Sequence, residues 1–112
     1  MKGFPGAGGA GGLQSLLKQA QKMQVELKKA QDEVQTMMAD GSAGGGAVEV
    51  TVNGKFEIQK LEIDPSVISS DDKEMLQDLI TASVNEAVRK AQALVQERMQ
   101  KATGGMPIPG MF

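Results

Sequence analysis

Leu13, Leu16, Ala20, Met23, Leu27, Ala30, Val34 and Met37 follow one another at steps of 3, 4, 3, 4, 3, 4 and 3, an unbroken apolar heptad repeat. From Leu13 to Met38 the chain holds neither glycine nor proline and is dominated by Leu, Gln, Lys, Glu, Met and Ala, all good helix formers. A helix over 13–38 is therefore predicted, about 39 Å long at 1.5 Å per residue, longer than a compact domain of this size needs. The repeat is the seam of a coiled coil, and it calls for a facing helix at a shallow left-handed crossing of about 20°. That helix belongs either to a second copy or to the same chain. Leu17 and Met38 widen the stripe enough that packing on the chain's own sheet is the competing reading.

The period then changes from 3.5 to 2. Asp40–Gly46 reads as a flexible loop ending the helix. Val48, Val50 and Val52 alternate with polar residues, Asn53-Gly54 marks a turn, and Phe56, Ile58, Leu61 and Ile63 line a returning strand. A three-residue loop that puts Val52 opposite Phe56 and Val50 opposite Ile58 pairs the apolar residues best. Ile58 and Leu61 are three apart, so sharing one face requires a bulge near Gln59 and Lys60. A lone hairpin is marginal in water; helices, a third strand around Thr36–Ser42 or a second subunit's sheet must support it. Asp64-Pro65 closes the strand. Asp71, with Glu74 three residues on, reads as the cap of a second long helix that Thr103-Gly104-Gly105 ends.

The predicted fold is α+β: a long N-terminal helix, a small antiparallel sheet of two or three strands and a long C-terminal helix. A single α-β-β-α domain over 13–103 is flanked by a glycine-rich leader (1–12) and a Gly/Pro/Met tail (104–112), both expected to be mobile. A chain of 112 residues buries a limited fraction of its surface alone, so a homodimer is expected.

The chain has no cysteine, histidine or tyrosine. That excludes disulfides and thiolate metal sites and removes the usual general base near neutral pH, so no metal, cofactor, small-molecule substrate or catalysis is expected. No signal peptide or membrane span is legible either, and a cytoplasmic protein follows as the expectation.

The net charge of −2 argues against an indiscriminate polyanion binder, but its distribution is uneven. Residues 1–31 carry five lysines against Glu26 (+4), residues 79–112 carry four basic residues against two acids (+2), and residues 40–78 carry three lysines against nine acids (−6). Basic helix tips on an acidic body would grip the backbone of a DNA duplex in a dimer. Lys18, Lys22, Lys28, Lys29, Arg89, Lys90, Arg98 and Lys101 are the candidate contacts on this charge argument. Base reading and single-strand stacking have little support, since there are two arginines and three phenylalanines and no helix-turn-helix or zinc finger.

Several segments in order resemble the bacterial YbaB/EbfC family: Lys18–Met23 (Lys-Gln-Ala-Gln-Lys-Met), the glycine-rich loop, Val50–Gly54, Leu61–Ser66, Asp72–Leu76 and the Gly-Met-Pro-Ile-Pro-Gly tail. The resemblance implies a nucleoid-associated, double-stranded-DNA-binding homodimer with a central sheet and helices protruding like tweezers, located in the nucleoid. It supplies no fixed contact residues. An adaptor holding a client protein with projecting helices and Met-rich tails is the alternative function.

Overall fold

The computed structural model describes residues 9–104, in the order α1 (Gly9–Val34), β1 (Met38–Ala43), β2 (Val48–Asn53), β3 (Ile58–Ile63), two short 3-10 turns (Pro65–Val67 and Ser70–Asp72) and α2 (Lys73–Ala102). Of the leader (1–12) and tail (104–112), for which mobility is expected, residues 1–8 and 105–112 lie outside the described residues, while residues 9–12 form the first turn of α1.

The first helix ends four residues earlier than its composition predicts. Its last turn tightens at Val34: the backbone N–H groups of Thr36 and Met37 donate to the carbonyls of Glu33 and Val34, and the Thr36 hydroxyl also donates to the Glu33 carbonyl. Such a turn satisfies carbonyls that a helix end leaves open. Beyond it the chain is extended, so Asp40–Ala43 is strand and not loop, and the third strand is real.

The sheet is antiparallel, ordered β1-β2-β3, and the glycine run Gly44–Gly46 makes the β1–β2 turn with all three φ angles positive (66°, 70° and 95°). Asp, Gly and Ser are poor strand formers, and tertiary packing overrides them here. Ala39, Gly41 and Ala43 lie opposite Val52, Val50 and Val48 on the inward face, and only small residues there let α2 come close. A Cβ at Gly41 would overlap the backbone of Ser83 and Ala87.

The β2–β3 turn is shifted from its predicted register. Val52 pairs with Ile58, not Phe56, and Val50 pairs with Leu61. Asn53 sets this: its Oδ1 accepts from the backbone N–H groups of Lys55 (2.9 Å) and Glu57 (3.1 Å), and its own N–H donates to the Glu57 carbonyl. Three residues, Gly54 to Phe56, then make the turn, and Phe56 takes the left-handed position (φ 64°). Thr51 pairs with Lys60 while Val52 pairs with Ile58, so Gln59 is the extra residue of the expected bulge.

A one-residue shift also separates α2's cap from its predicted position. Asp72 accepts from the Met75 N–H (3.3 Å), while Asp71 lies in the preceding 3-10 turn, its N–H held by the Ser69 hydroxyl.

Two apolar clusters hold the chain. Where α2 lies on the sheet, Ala87 and Ala91 pack with Ala39, Val48, Val50 and Val52, all at most 6% exposed. Farther along, Ala30 and Val34 of α1 pack against Val95, Met99 and Ala102 of α2, joined by Leu27 and Met37. α2 runs antiparallel to both α1 and β1, because Leu79 lies at Gly44, Ser83 and Ala87 at Gly41, and Arg98 at Glu33. The result is a rod of 79 × 20 × 17 Å, sheet at one end and the start of α1 at the other.

Candidate nucleic-acid interface

The α1 seam divides where α2 stops. Leu27, Ala30, Val34 and Met37 pack within the chain on α2; Met23 is half-buried; Leu13, Leu16 and Ala20 are exposed on a segment that extends past the end of α2. This projecting segment is helical on its own propensity, with no partner element among the described residues.

Its charges are sorted by face. At about 100° per residue, Lys18, Lys22 and Lys29 fall within about 40° of one another on the side opposite the seam. All three are exposed, and among the described residues none of them forms an ion pair. Between Gly12 and Val25 the only charged residues are Lys18 and Lys22, the other polar ones being solvent-facing glutamines and a serine, and Glu26 is the first acid.

The other candidates differ in availability. Lys28 pairs with Asp32 one turn on (3.5 Å), and Lys90 with Glu86 (3.7 Å), both at the exposed surface where such pairs are weak and readily exchanged for another anion. Arg89 and Lys101 are exposed and in no ion pair among the described residues. Antiparallel packing brings Lys101 level with Lys28 and Lys29. Arg89 and Lys90 lie about 16 Å nearer the sheet, so the structure does not gather all the basic residues at one tip.

Arg98 is committed elsewhere. Its Nε and a terminal nitrogen donate to the two carboxylate oxygens of Glu33 at 2.9 and 3.1 Å, and its side chain is only 16% exposed. This forked pair joins α1 to α2 at the edge of their shared cluster. The hydrogen bonds from Arg98, followed by its charge and that of Lys29, hold the Glu33 carboxyl below the ordinary glutamate range, and Glu33 raises Arg98 in turn. The pair spans 65 positions of sequence, which no local pattern signals.

Glu86 is a second residue that sequence reasoning missed. Its carboxylate accepts from the backbone N–H of Ser42 (2.9 Å), covering an open donor on the outer edge of β1. That bond, and then the charge of Lys90, hold the Glu86 carboxyl below its ordinary range. Around it the solvent-facing side of the sheet carries Asp40, Thr51, Glu49 and Glu62 with Lys60, and Thr51 donates to Asp40 at 2.7 Å. This face is acidic and would repel a polyanion, whereas the far end of the rod is basic.

A basic row on a projecting helix, held away from an acidic sheet, is a surface for an extended polyanion. Residues 9–106 match the family model for YbaB/EbfC DNA-binding proteins. The chain belongs to the YbaB/EbfC DNA-binding family. Relatives include a nucleoid-associated protein of Alkaliphilus metalliredigens, 51% identical over 99% of this chain and 97% of its own length. One from Ruminiclostridium cellulolyticum is 50% identical over 98% and 96%. The crystal structure of uncharacterized protein HP0035 from Helicobacter pylori matches with a TM-score of 0.58 at 25% identity, covering 75% of this chain and 94% of that one. The α+β order of helix, three-stranded antiparallel sheet and helix is thus the fold of a YbaB/EbfC DNA-binding chain. No helix among the described residues is long and apolar enough to cross a membrane.

Proposed function

We propose that this protein is a non-catalytic, nucleoid-associated binder of double-stranded DNA that acts as a homodimer, contacting phosphates and contributing to nucleoid organisation and gene regulation. The observation that carries this reading is the exposed row Lys18, Lys22 and Lys29 on α1, the first two on the part that outruns the rest of the fold. Lys28, Lys101, Arg89 and Lys90 extend the contact toward the sheet. Arg98 has a different role: gripping Glu33, it fixes the angle at which α1 leaves the body.

The homodimer is supported by the uncovered third of the sheet. α2 lies over β1 and β2, and Glu86 and Lys90 mark the flank of α2 that faces the β1 edge. On the opposite flank Val84 and Val88 are only half-buried, and the inward-facing Ile58 and Leu61 of β3 are 51% and 44% exposed although their pairing partners Val52 and Val50 are fully buried. An apolar face that continues the core is suited to closure by a second copy, which would give the DNA two basic prongs.

Two copies of the three-lysine row neutralise about six phosphates, so the logarithm of affinity should fall with that of salt at a slope near −5, a loss on the order of a thousandfold from 50 to 200 mM. Titration of duplex DNA at several salt concentrations tests this. Lys18→Ala, Lys22→Ala and Lys29→Ala together should remove most of the slope, leaving the share of Lys28, Lys101, Arg89 and Lys90, while the fold stays intact. An affinity indifferent to salt, or unchanged in the triple variant, overturns the reading.

A further inference from the structure

Among the described residues, half of the α1 seam has nothing packed on it. Gly104 is six residues past Arg98 on α2, and Leu27 is six before Glu33 on α1, so antiparallel packing sets the two level. Past that level the seam continues through Met23, Ala20, Leu16 and Leu13 with Leu17 on its flank, and the three leucines are 54 to 63% exposed. Three neighbouring leucines on one helix face form a patch, not a scatter of single apolar residues. We propose that this patch pairs with the same segment of a second copy, running antiparallel, so that two molecules join tip to tip through a short coiled coil.

Three observations select this occupant. The first is period. The steps of 3 and 4 that set Leu27, Ala30 and Val34 against α2 run unbroken back to Leu13, so the patch fits a helix at a shallow crossing and continues an interface that a helix already fills. The second is charge. The residues flanking a coiled-coil seam choose its partner, and between residues 13 and 25 these are Leu17, Gln19 and Gln24, all uncharged. A helix of either charge finds nothing here to select it, whereas a second copy meets no repulsion, because Lys18 and Lys22 lie on the opposite side of α1. The third is fit. In antiparallel register Leu13 of each copy meets Met23 of the other and Leu16 meets Ala20, making four layers in which leucine faces a small or adaptable residue.

Direction follows from α2. Each α2 occupies the seam of its own α1 up to Leu27, so two parallel copies would hold their α1 axes about 27 Å apart, three interhelical spacings of about 9 Å, and the leucines would not touch. Antiparallel copies avoid this. Each tip takes the path that the other's α2 leaves at Thr103, and the two sheets lie at the far ends of the pair. Copies joined at their tips are therefore not copies joined through β3, and this pairing stands independently of the sheet contact. The lysines of both tips face outward and stay uncovered. An overlap of about 15 Å buries well under the roughly 1,200 Å² of a stable interface, so the contact is weak and forms at high concentration or where copies are gathered together.

The chain has no native cysteine, so engineered ones report this contact cleanly. Full-length Leu13→Cys and Met23→Cys chains, mixed in equal amounts at high concentration without nucleic acid and oxidised, should give the mixed disulfide in about fivefold excess over the two self-disulfides combined. Chance collision gives equal amounts, and that result, or an excess of self-disulfides, overturns the proposal. As a second measurement, sedimentation equilibrium in about 0.5 M salt should show the mean mass of the full-length protein at least doubling between about 5 and about 500 µM, whatever species is present at the lower concentration. Leu13→Gln, Leu16→Gln and Leu17→Gln together should abolish that rise and leave the helix content unchanged. A mass that stays constant, or one that rises equally in the triple variant, overturns the pairing as well.

Discussion

Gly41 and Gly54 carry demands that their positions in sequence do not announce. A Cβ on Gly41 would meet two backbone groups of α2, and one on Gly54 would overlap the Val34 carbonyl at the end of α1. Backbone cannot yield as a side chain does, so Gly41→Ala should cost about 2 to 3 kcal/mol in urea denaturation by forcing α2 off the sheet. Asn53-Gly54 was legible as a turn, but for a different reason from the one that holds: the left-handed residue is Phe56, and Gly54 is required by packing. Turn rules see local backbone preference and are blind to a helix end arriving from 20 residues away. The carboxylates make a further prediction. Glu33, Glu86 and Asp64, the last held by the Ser66 backbone N–H and then its hydroxyl, all lie below their ordinary range in the folded state. A depressed carboxylate contributes stability that is fully present above its unfolded value, near about 4.3 for glutamate, and is lost as pH falls through the lowered one. Thermal unfolding followed from pH 6 to 2.5 should show a decline in acid, and Glu33→Gln should be less stable than wild type near neutrality with a shallower decline.

The elements divide by what stabilises them. α1 from Leu27 onward is held by tertiary burial, so Met99→Ala, which empties a site 1% exposed beneath it, should cost about 3 kcal/mol. Val25→Ala, at a residue 64% exposed on the basic side of the same helix, should change stability by less than about 0.5 kcal/mol. Chemical denaturation of the two variants in parallel checks the contrast. The heptad pattern made α1 and its seam legible, and Thr103-Gly104-Gly105 marked the end of α2. β1 was legible only as one option, a strand around Thr36–Ser42, because Ala-Asp-Gly-Ser-Ala has neither β-branched nor aromatic residues; its strand character comes from pairing with a valine-rich neighbour and from Gly41 under α2. The Gln59 bulge was legible because an odd apolar spacing admits few devices.

At the scale of the whole molecule, charge and shape run along one axis, from the acidic sheet to the basic start of α1. The segmental charge imbalance showed in the sequence. Its geometry did not, because only the antiparallel course of α2 decides that Lys101 joins Lys28 and Lys29 while Arg89 and Lys90 remain beside β1. If β3 and the Val84–Val88 flank receive a second copy, Ile58→Glu with Leu61→Glu should yield a folded monomer by analytical ultracentrifugation. Its DNA affinity should then drop and its salt slope halve. A dimer that survives both charges would place the interface elsewhere.

Between Val34 and Met38 the main chain passes from helix to strand through one short turn, where a rod would ordinarily bend. α2 is continuous across that junction, with Met99 and Arg98 fixed to α1 on one side and Ala87 fixed to β1 on the other. It acts as a splint. A sideways load on the α1 tip is therefore borne by the sheet as torque and is not absorbed by a hinge at the junction, and in the proposed dimer stiffness of this kind would set the distance between the two tips before a duplex arrives.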